Sequence, residues 1–321
     1  LKTIELLNEF DRDNKNFFLT VGFQKPHLPF TPPKKYWDLY QRDDIKLAEF
    51  QSKSIGSPQE AYHRSGELRN YHDTEPSMDE NGIVSEAKQR ELIHGYMASV
   101  SFIDAQVGMI LDHLESTGMD ENTVVVFFGD HGWHLGDHGL WNKHSNFEEA
   151  TRTPLIFRSP DIDGGFVNDS PVELLDIFPT VCTLAGIPKP DDLDGISLVP
   201  ILEKKSEYLR DFAISQYPRR CNVMRSVIGR YPDDCTLMGY AVRNEKYRYV
   251  AWISGDFEDR SDFNNDEIVM EELYDYEIDP LETKSYASDA SYQKVKEEMI
   301  KDLRSVTVSY THLRAHETQP Y

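Results

Sequence analysis

Apolar residues recur with a helical period over the longest patterned stretch of the chain. From residue 85 they fall on one stripe of a helix, with Gly118 as its predicted C-cap. The stripe consists of Leu92, Tyr96, Val100, Ile103, Val107, Ile110 and Leu114. The pattern therefore predicts one long packing helix. Two shorter helices are predicted at LKTIELLNEF (residues 1–10) and SYQKVKEEMIKDL (residues 291–303).

Short apolar runs bounded by turn residues predict strands. Residues 124–128 (VVVFF) are β-branched and aromatic, which indicates a strand buried on both faces of a sheet. Two more strands are predicted at residues 16–23 (NFFLTVGF) and 154–160 (PLIFRSP), and residues 171–186 (PVELLDIFPTVCTLAG) predict an amphipathic helix. Residues 24–37 (QKPHLPFTPPKKYW) form a proline-dense loop that we expect to be extended. This alternation of strands and helices predicts an α/β domain with a mixed sheet flanked by helices.

The pattern changes character near Leu202. Residues 238–253 (MGYAVRNEKYRYVAWI) predict a β-hairpin that turns at Asn244-Glu245, and residues 272–280 (ELYDYEIDP) predict another strand. We therefore expect a smaller C-terminal subdomain with an antiparallel sheet. The expected boundaries are residues 1–205 for the main domain, 206–304 for the subdomain and 305–321 for a non-native tail.

The tail, SVTVSYTHLRAHETQPY, has no evident tie to the helix before it and resembles translated adapter sequence. His312 and His316 within it have the i, i+4 spacing of metal ligands, but we expect them to have no function. Among the cysteines, Cys182 is predicted to be a core residue. Cys221 and Cys235 could pair, although the sequence gives no geometry for a disulfide.

The chain is strongly acidic, with a formal net charge of -22 and a pI near 4.8. This charge disfavours nucleic acids and anionic membranes as partners, while a local basic site could still bind an anion. No apolar run approaches the ~20 residues that a transmembrane helix needs. We therefore expect neither nucleic-acid binding nor membrane insertion.

The densest chemistry lies at residues 124–146 (VVVFFGDHGWHLGDHGLWNKHSN), where a predicted strand enters a glycine-rich loop. Asp130 and His131 follow the strand directly, and ligand sites of open α/β sheets lie at such strand ends. A carboxylate and an imidazole can share one metal ion, and oxygen ligands favour calcium or magnesium, whereas more histidines favour zinc. The alternative is that Asp130 only caps the turn and His131 packs beside it. The second pair, Asp137 and His138, is interpreted as shaping the loop, with direct metal binding by His138 as the alternative.

The chain resembles the sulfatase family, and within it the iduronate 2-sulfatase group and its bacterial relatives. The resemblance runs in order over about residues 17–285. It rests on the blocks GFQKPHLPF, YMASVSFIDAQVGMILDHL, FFGDHGWHLGDHGLWNKHSNFEEATRTPLIF, LDGISLVP, SQYPR and MGYAVRNEKYRYVAWI. It implies an alkaline-phosphatase-like α/β fold, in which residues 1–205 would be the C-terminal portion of the catalytic domain.

The resemblance also implies an activity, the metal-assisted hydrolysis of sulfate esters on a sulfated saccharide such as a glycosaminoglycan. It implies that Asp130 and His131 are Ca²⁺ ligands, that His27 and Lys143 are catalytic residues contacting the sulfate, and that Trp133 binds the sugar. The alternatives are a solvated surface position for Lys143, an ordinary loop histidine for His27 and core packing for Trp133.

Two departures qualify the resemblance. His134 and His144 stand where the iduronate 2-sulfatase group has Ala and Tyr. The resemblance therefore does not determine which sugar is bound. The nucleophile motif of the family, Cys/Ser-x-Pro-x-Arg, occurs nowhere in the sequence. We therefore expect a chain truncated after the nucleophile, inactive alone, whose remaining calcium ligands come from the missing N-terminal region. A two-metal phosphodiesterase or phosphatase of the same superfamily and a non-catalytic fragment are the alternatives.

The resemblance also implies an extracytoplasmic location, lysosomal in a eukaryote and periplasmic or secreted in a bacterium. Because the chain is so acidic, we expect it to act on a terminal residue or a short oligosaccharide rather than within a long polyanion.

Overall fold

The computed structural model describes residues 2–74, 83–220, 236–254 and 268–307. In these ranges the helices are α1 (Lys2–Arg12), α2 (Lys34–Trp37), α3 (Gly66–Arg69), α4 (Glu86–Thr117), α5 (Glu148–Thr151), α6 (Ile177–Leu184), α7 (Val199–Leu202) and α8 (Gln293–Thr307). The strands are β1 (Val125–Phe128), β2 (His134–Leu135), β3 (Trp141–Asn142), β4 (Leu155–Arg158), β5 (Ala213–Arg220), β6 (Thr236–Arg243), β7 (Tyr247–Ser254) and β8 (Ile268–Asp275).

The elements divide between two compact units. The first consists of Leu1–Glu49, Ser65–Phe128 and Pro154–Gly165. The second consists of Phe50–Arg64, Gly129–Thr153 and Phe166–Tyr321. The predicted division at residue 205 stays a prediction.

The long helix α4 organises the first unit and confirms the predicted helical stripe. It ends at Gly118, whose φ of 74° is the left-handed conformation typical of a glycine cap. Leu92 and Leu114 are buried, whereas Val100 remains exposed, so the stripe is only partly covered. At Gly95 a Cβ atom would lie 2.7 Å from the Cβ of Phe30, so the absence of a side chain allows the chain around Phe30 to approach the helix closely.

Strands β1 and β4 form a two-stranded antiparallel sheet in the first unit. Val125 lies opposite Arg158, and Phe128 lies opposite Leu155. The expectation that residues 124–128 are buried on both faces is wrong, because Phe127 and Phe128 are exposed. An apolar run specifies a strand but not how many neighbours cover it, and within the described chain β1 pairs with β4 alone.

The proline-rich region differs from its prediction in two ways. Residues 16–23 form no strand, and Phe18 is exposed, because an apolar run without a backbone partner cannot form a sheet. The following loop is not extended, since the N–H of His27 donates to the carbonyl of Gln24 at 3.0 Å and closes a turn. The peptide bonds Lys25–Pro26 and Leu28–Pro29 are cis.

The second unit contains an antiparallel sheet in the order β5-β6-β7-β8. The predicted hairpin is confirmed, and the side-chain oxygen of Asn244 accepts from the backbone N–H of Tyr247 at 2.8 Å. Alternate residues of β7 face opposite sides of the sheet. On one face, Val250 and Trp252 pack in a cluster that includes Phe147. On the other face, Tyr249, Ala251 and Ile253 pack against α8. The sheet is therefore covered on both faces.

Of the remaining predictions, the helix at residues 171–186 is confirmed as a 3-10 turn (Leu174–Asp176) followed by α6, in which Cys182 is buried. Cys221, Cys235, His312 and His316 lie outside the described residues. None of the helices in the described ranges is both long and apolar enough to cross a bilayer.

Candidate active site

The turn after β1 places Asp130 and His131 side by side. The Asp130 carboxylate is 86% exposed, and its Oδ1 lies 3.8 Å from Nε2 of His131. The other ring nitrogen, Nδ1, lies 2.7 Å from the carbonyl oxygen of Gly132, which can only accept, so Nδ1 carries the proton. Nε2 is then the ring nitrogen left to bind a metal. It lies close enough to the exposed Asp130 carboxylate for the two to be ligands of one cation.

Gly132 fixes this turn against the backbone of α5. Its N–H donates to the carbonyl of Ala150 at 2.9 Å. A Cβ atom at this position would lie 2.0 Å from the carbonyl oxygen of Glu149 and 2.8 Å from that of Arg152. Only glycine permits such an approach. Gly132 therefore holds the turn of Asp130 and His131 against the backbone of α5.

A small hairpin brings Lys143 close to the turn that carries Asp130 and His131. Strand β2 pairs with β3, with His134 opposite Asn142 and Leu135 opposite Trp141. Nζ of Lys143 consequently lies 5.2 Å from the ring centroid of Trp133, a cation–π distance. The Trp133 ring also stacks on His131 at a centroid distance of 6.0 Å. The structure thus gathers Asp130, His131, Trp133 and Lys143 into one loop.

The second Asp-His pair builds the bend of that hairpin, as predicted. Oδ2 of Asp137 accepts from the N–H of Leu135 at 3.2 Å. Gly136 and Gly139 have φ values of 111° and 73°, which favour glycine. His138 itself has a φ of 56°, an uncommon conformation for a side-chain-bearing residue.

His27 belongs to the first unit, whereas Asp130, His131, Trp133 and Lys143 belong to the second. Its Nδ1 donates to the carbonyl of Leu28 at 2.9 Å, and its Nε2 lies 3.6 Å from Oε2 of Glu67. The side chain is 39% exposed.

The positions that depart from the iduronate 2-sulfatase group have defined surroundings. Nδ1 of His144 shares a hydrogen bond with the hydroxyl of Tyr217 at 2.7 Å. His134 is fully buried, and its Nε2 lies 2.8 Å from Oγ of Ser145. His144 therefore borders β5, and His134 belongs to the interior.

Sequence reasoning missed a group of buried charged and imidazole side chains behind the loop. We name it the His–Glu cluster, and it consists of His134, His138, Glu149, Glu282 and Arg248. Nε2 of His138 lies 3.9 Å from Oε2 of both Glu149 and Glu282, and Nδ1 of His134 lies 4.0 Å from the same Glu149 oxygen. Nε of Arg248 donates to Glu282 at 2.6 Å. No sequence pattern joins these residues, because Glu282 is far along the chain from the histidines.

Burial sets the protonation of the cluster. Desolvation, strengthened by the neighbouring Glu282, raises the pKa of Glu149 to about 8. Desolvation, together with Arg248, lowers the pKa of His138 to about 4, and burial also holds the pKa of His134 well below its usual value. Both imidazoles are therefore neutral at pH 7 and can act as ligands.

Comparisons with known proteins place this geometry in a family. Residues 2–187 match the family model described as Sulfatase, and residues 136–309 match "N-sulphoglucosamine sulphohydrolase, C-terminal". Iduronate 2-sulfatase of Mus musculus is 31% identical over 341 residues, covering 91% of this chain and 61% of that protein. The chain spans between 55% and 61% of the length of such curated relatives.

Solved structures agree on the fold. The structure of BT4656 in complex with its substrate D-glucosamine-2-N,6-O-disulfate superposes with a TM-score of 0.70 at 19% identity, covering 98% of this chain and 71% of that one. The phosphonate monoester hydrolase SpPMH of Silicibacter pomeroyi superposes with a TM-score of 0.70 at 20% identity, covering 96% and 60%. The predicted alkaline-phosphatase-like α/β fold is thereby confirmed. With a family match over more than half of its residues, the chain belongs to the sulfatase family.

Proposed function

We propose that this chain contributes part of the active site of a metal-assisted sulfatase that hydrolyses sulfate esters of a glycosaminoglycan, in the manner of iduronate 2-sulfatase. The observation that carries the proposal is the gathering of Asp130, His131, Trp133 and Lys143 around one exposed loop. A sulfate ester is an anion, and its hydrolysis needs positive charge on the sulfate oxygens and a proton for the leaving oxygen. The loop and His27 offer groups of both kinds.

Asp130 and His131 would hold a divalent cation, which we propose is Ca²⁺. Their donor atoms are of the right types, and the hydrogen bond from Nδ1 of His131 to Gly132 leaves Nε2 free of a proton. The exposure of the Asp130 carboxylate leaves room for further oxygen ligands. When bound, the cation would neutralise charge on the sulfate oxygens.

Lys143 would stabilise negative charge on the leaving oxygen. The indole of Trp133 lies beside the ammonium and restricts where it can point. The same indole offers an apolar surface against which a sugar ring could pack. Lys143 and Trp133 would thus bind the two ends of a sulfated monosaccharide, its ester oxygen and its ring.

His27 would protonate the leaving oxygen. Its Nδ1 donates to the carbonyl of Leu28, so Nε2, which lies 3.6 Å from Oε2 of Glu67, is the nitrogen that would pass a proton to the leaving oxygen. The side chain is 39% exposed, so this nitrogen can exchange its proton with water.

We propose that the nucleophile and the remaining cation ligands come from sequence upstream of this chain, so that the chain alone is inactive. Two observations support this. The sequence contains no Cys/Ser-x-Pro-x-Arg motif. The exposed apolar side chains of β1 and β4, including Phe128 and Ile156, are of the kind that a further layer of structure covers.

The proposed substrate is a sulfated saccharide cut at a terminal residue or in a short oligosaccharide, outside the cytoplasm. The named activities of the mouse relative and of BT4656 support a sulfated sugar. The net charge of -22 supports a short substrate, because long polyanions are repelled by an acidic surface. A lysosomal compartment would apply in a eukaryote, and the periplasm or medium in a bacterium.

The test is to express the complete coding sequence and measure sulfate release from disaccharides that carry one sulfate, either 2-O on the uronate or 6-O on the glucosamine. We expect faster release from the 2-O-sulfated uronate, and none from the present chain alone. Phosphodiester and phosphonate ester substrates serve as the comparison. Faster turnover of these substrates would contradict the proposal in favour of a phosphodiesterase.

A further inference from the structure

The His–Glu cluster has the composition of a metal site. An ion-pair network with only a structural role would not need two imidazoles beside its carboxylates. Two imidazoles and two carboxylates converge, and three of their ligand atoms, from His138, Glu149 and Glu282, lie within 4.8 Å of one another. His134 and His138 are buried, as is Glu282. Histidine nitrogens and carboxylate oxygens are both zinc ligands, and a four-coordinate set of them can hold Zn²⁺.

The separations between donor atoms are too long for hydrogen bonds. Oε2 of Glu149 lies 3.9 Å from Nε2 of His138 and 4.0 Å from Nδ1 of His134. Donors arranged tetrahedrally around Zn²⁺ would lie roughly 3.3–3.6 Å apart, given metal–ligand distances of about 2.0–2.2 Å. These two pairs would therefore need to close by only about half an ångström, whereas a hydrogen bond would need about twice that movement.

Buried polar atoms point into this space without partners. Nδ1 of His134 and Oε2 of Glu149 have no hydrogen-bond partner among the residues that the structure describes. Buried donors and acceptors are nearly always satisfied, so orphaned atoms that face one another indicate a missing component. His134 is fully buried, which makes its orphaned nitrogen the more informative of the two.

The second nitrogen of each imidazole is already oriented by a hydroxyl. Nε2 of His134 lies 2.8 Å from Oγ of Ser145, and Nδ1 of His138 lies 3.4 Å from Oγ of Ser54. If these nitrogens carry the protons, Nδ1 of His134 and Nε2 of His138 present lone pairs towards Glu149. This arrangement of an outer acceptor that fixes the tautomer is typical of metal-binding histidines.

The charge of the interior favours a bound divalent cation. Burial among other carboxylates disfavours the charged forms of Glu149 and Glu272, and a bound dication in this region would stabilise them.

We propose that His134, His138, Glu149 and Glu282 bind one structural Zn²⁺-type divalent cation, at a site separate from the Asp130–His131 turn. The site would join the hairpin that carries Lys143 to α5 and to the segment after β8 that carries Glu282. Its role is to hold the loop, since His134, His138 and Glu282 among its ligands are buried. The proposal does not depend on the proposed sulfatase activity, because every readout below is made without substrate.

The experiment measures metal content and spectra of the purified protein. After removal of weakly bound ions, we expect one equivalent of zinc by mass spectrometry, which Ca²⁺ in excess does not displace. Replacement by Co²⁺ should give the visible absorption of a four-coordinate nitrogen and oxygen site. Ser145→Ala should weaken Zn²⁺ binding roughly 10- to 100-fold by freeing the His134 ring.

The deciding variant is Glu149→Gln, which keeps the volume of the side chain and should fold even where His134→Ala does not. It should lose the zinc equivalent and the Co²⁺ spectrum, while the control Asp130→Ala keeps both. Retention of zinc by folded Glu149→Gln overturns the proposal. So does a wild-type protein that neither retains zinc nor rises in Tm when Zn²⁺ is added, because the cluster is then balanced by protons.

Discussion

The backbone of Gly132 lies directly against the carbonyl oxygen of Glu149, where a Cβ atom would come within 2.0 Å. Gly132 follows the proposed calcium ligands, and Glu149 belongs to the His–Glu cluster. One close backbone contact therefore connects the exposed turn to the buried polar interior.

Gly132→Ala should disturb that contact. Neither backbone segment can yield easily, because the N–H of Gly132 also donates to Ala150. We expect a loss of stability of about 1–3 kcal/mol, as for other overpacked sites, measured by urea denaturation. The control is Gly164→Ala, where no atom lies within 4 Å of the added Cβ. Equal effects of the two substitutions would show that the contact with Glu149 does not matter.

Asp130→Ala should remove calcium and activity together in the complete protein. The substitution deletes one anionic oxygen ligand from an exposed position, so the fold should be unaffected. Calcium content, activity and the circular dichroism spectrum are the measurements. A folded Asp130→Ala protein that retained a full equivalent of calcium would rule out this ligand assignment.

Lys143→Ala should separate catalysis from cation binding. The ammonium acts as the leaving oxygen becomes charged, so kcat should fall by about 100-fold or more while calcium content stays unchanged. Trp133→Phe is a useful companion, since it keeps an aromatic surface beside the ammonium and should have the smaller effect on kcat. A loss confined to KM would assign Lys143 to ground-state binding instead.

His27→Ala should show a dependence on the leaving group. If the imidazolium protonates the leaving oxygen, the variant should lose much activity on sugar sulfates and little on sulfate esters of acidic phenols. Rates on both substrates are compared with the wild type. Equal losses on the two would contradict a role as general acid.

Arg248→Leu should destabilise the second unit strongly. It removes the guanidinium that pairs with Glu282 at 2.6 Å and leaves buried carboxylates without their cation. The expected cost is about 3–5 kcal/mol in the free energy of unfolding. The matched control is Lys246→Ala, which breaks the exposed pair with Glu277 and should change stability little. A similar small effect at Arg248 would mean that the interior rearranges to expose its carboxylates.

The elements that were predictable from the sequence are those with a local signal. Helix α4 carries its stripe and its glycine cap within one segment, and the β6–β7 hairpin carries its turn at Asn244. The first Asp-His pair was found because a strand and a glycine turn surround it. Each of these patterns lies within a few residues, which is the range over which sequence periodicity is informative.

The parts that were missed depend on contacts between distant residues. Residues 16–23 have the composition of a strand, but a strand needs a partner that composition does not supply. Glu149 sits in NFEEAT with no sign that its carboxylate meets two histidines, and Glu282 follows β8, far along the chain. The exposure of Phe128 likewise depends on which elements pack over β1, and the residues of the strand do not specify these.

Glu282 accepts a hydrogen bond from the backbone N–H of Glu148 across 134 positions of sequence. A subcloned fragment that stopped before β5 would therefore leave α5 without this acceptor and would open the interior behind the hairpin to water. Expression boundaries chosen near residue 205 would separate α5 from Glu282. A clone meant to preserve the loop of Lys143 should extend at least through Glu282.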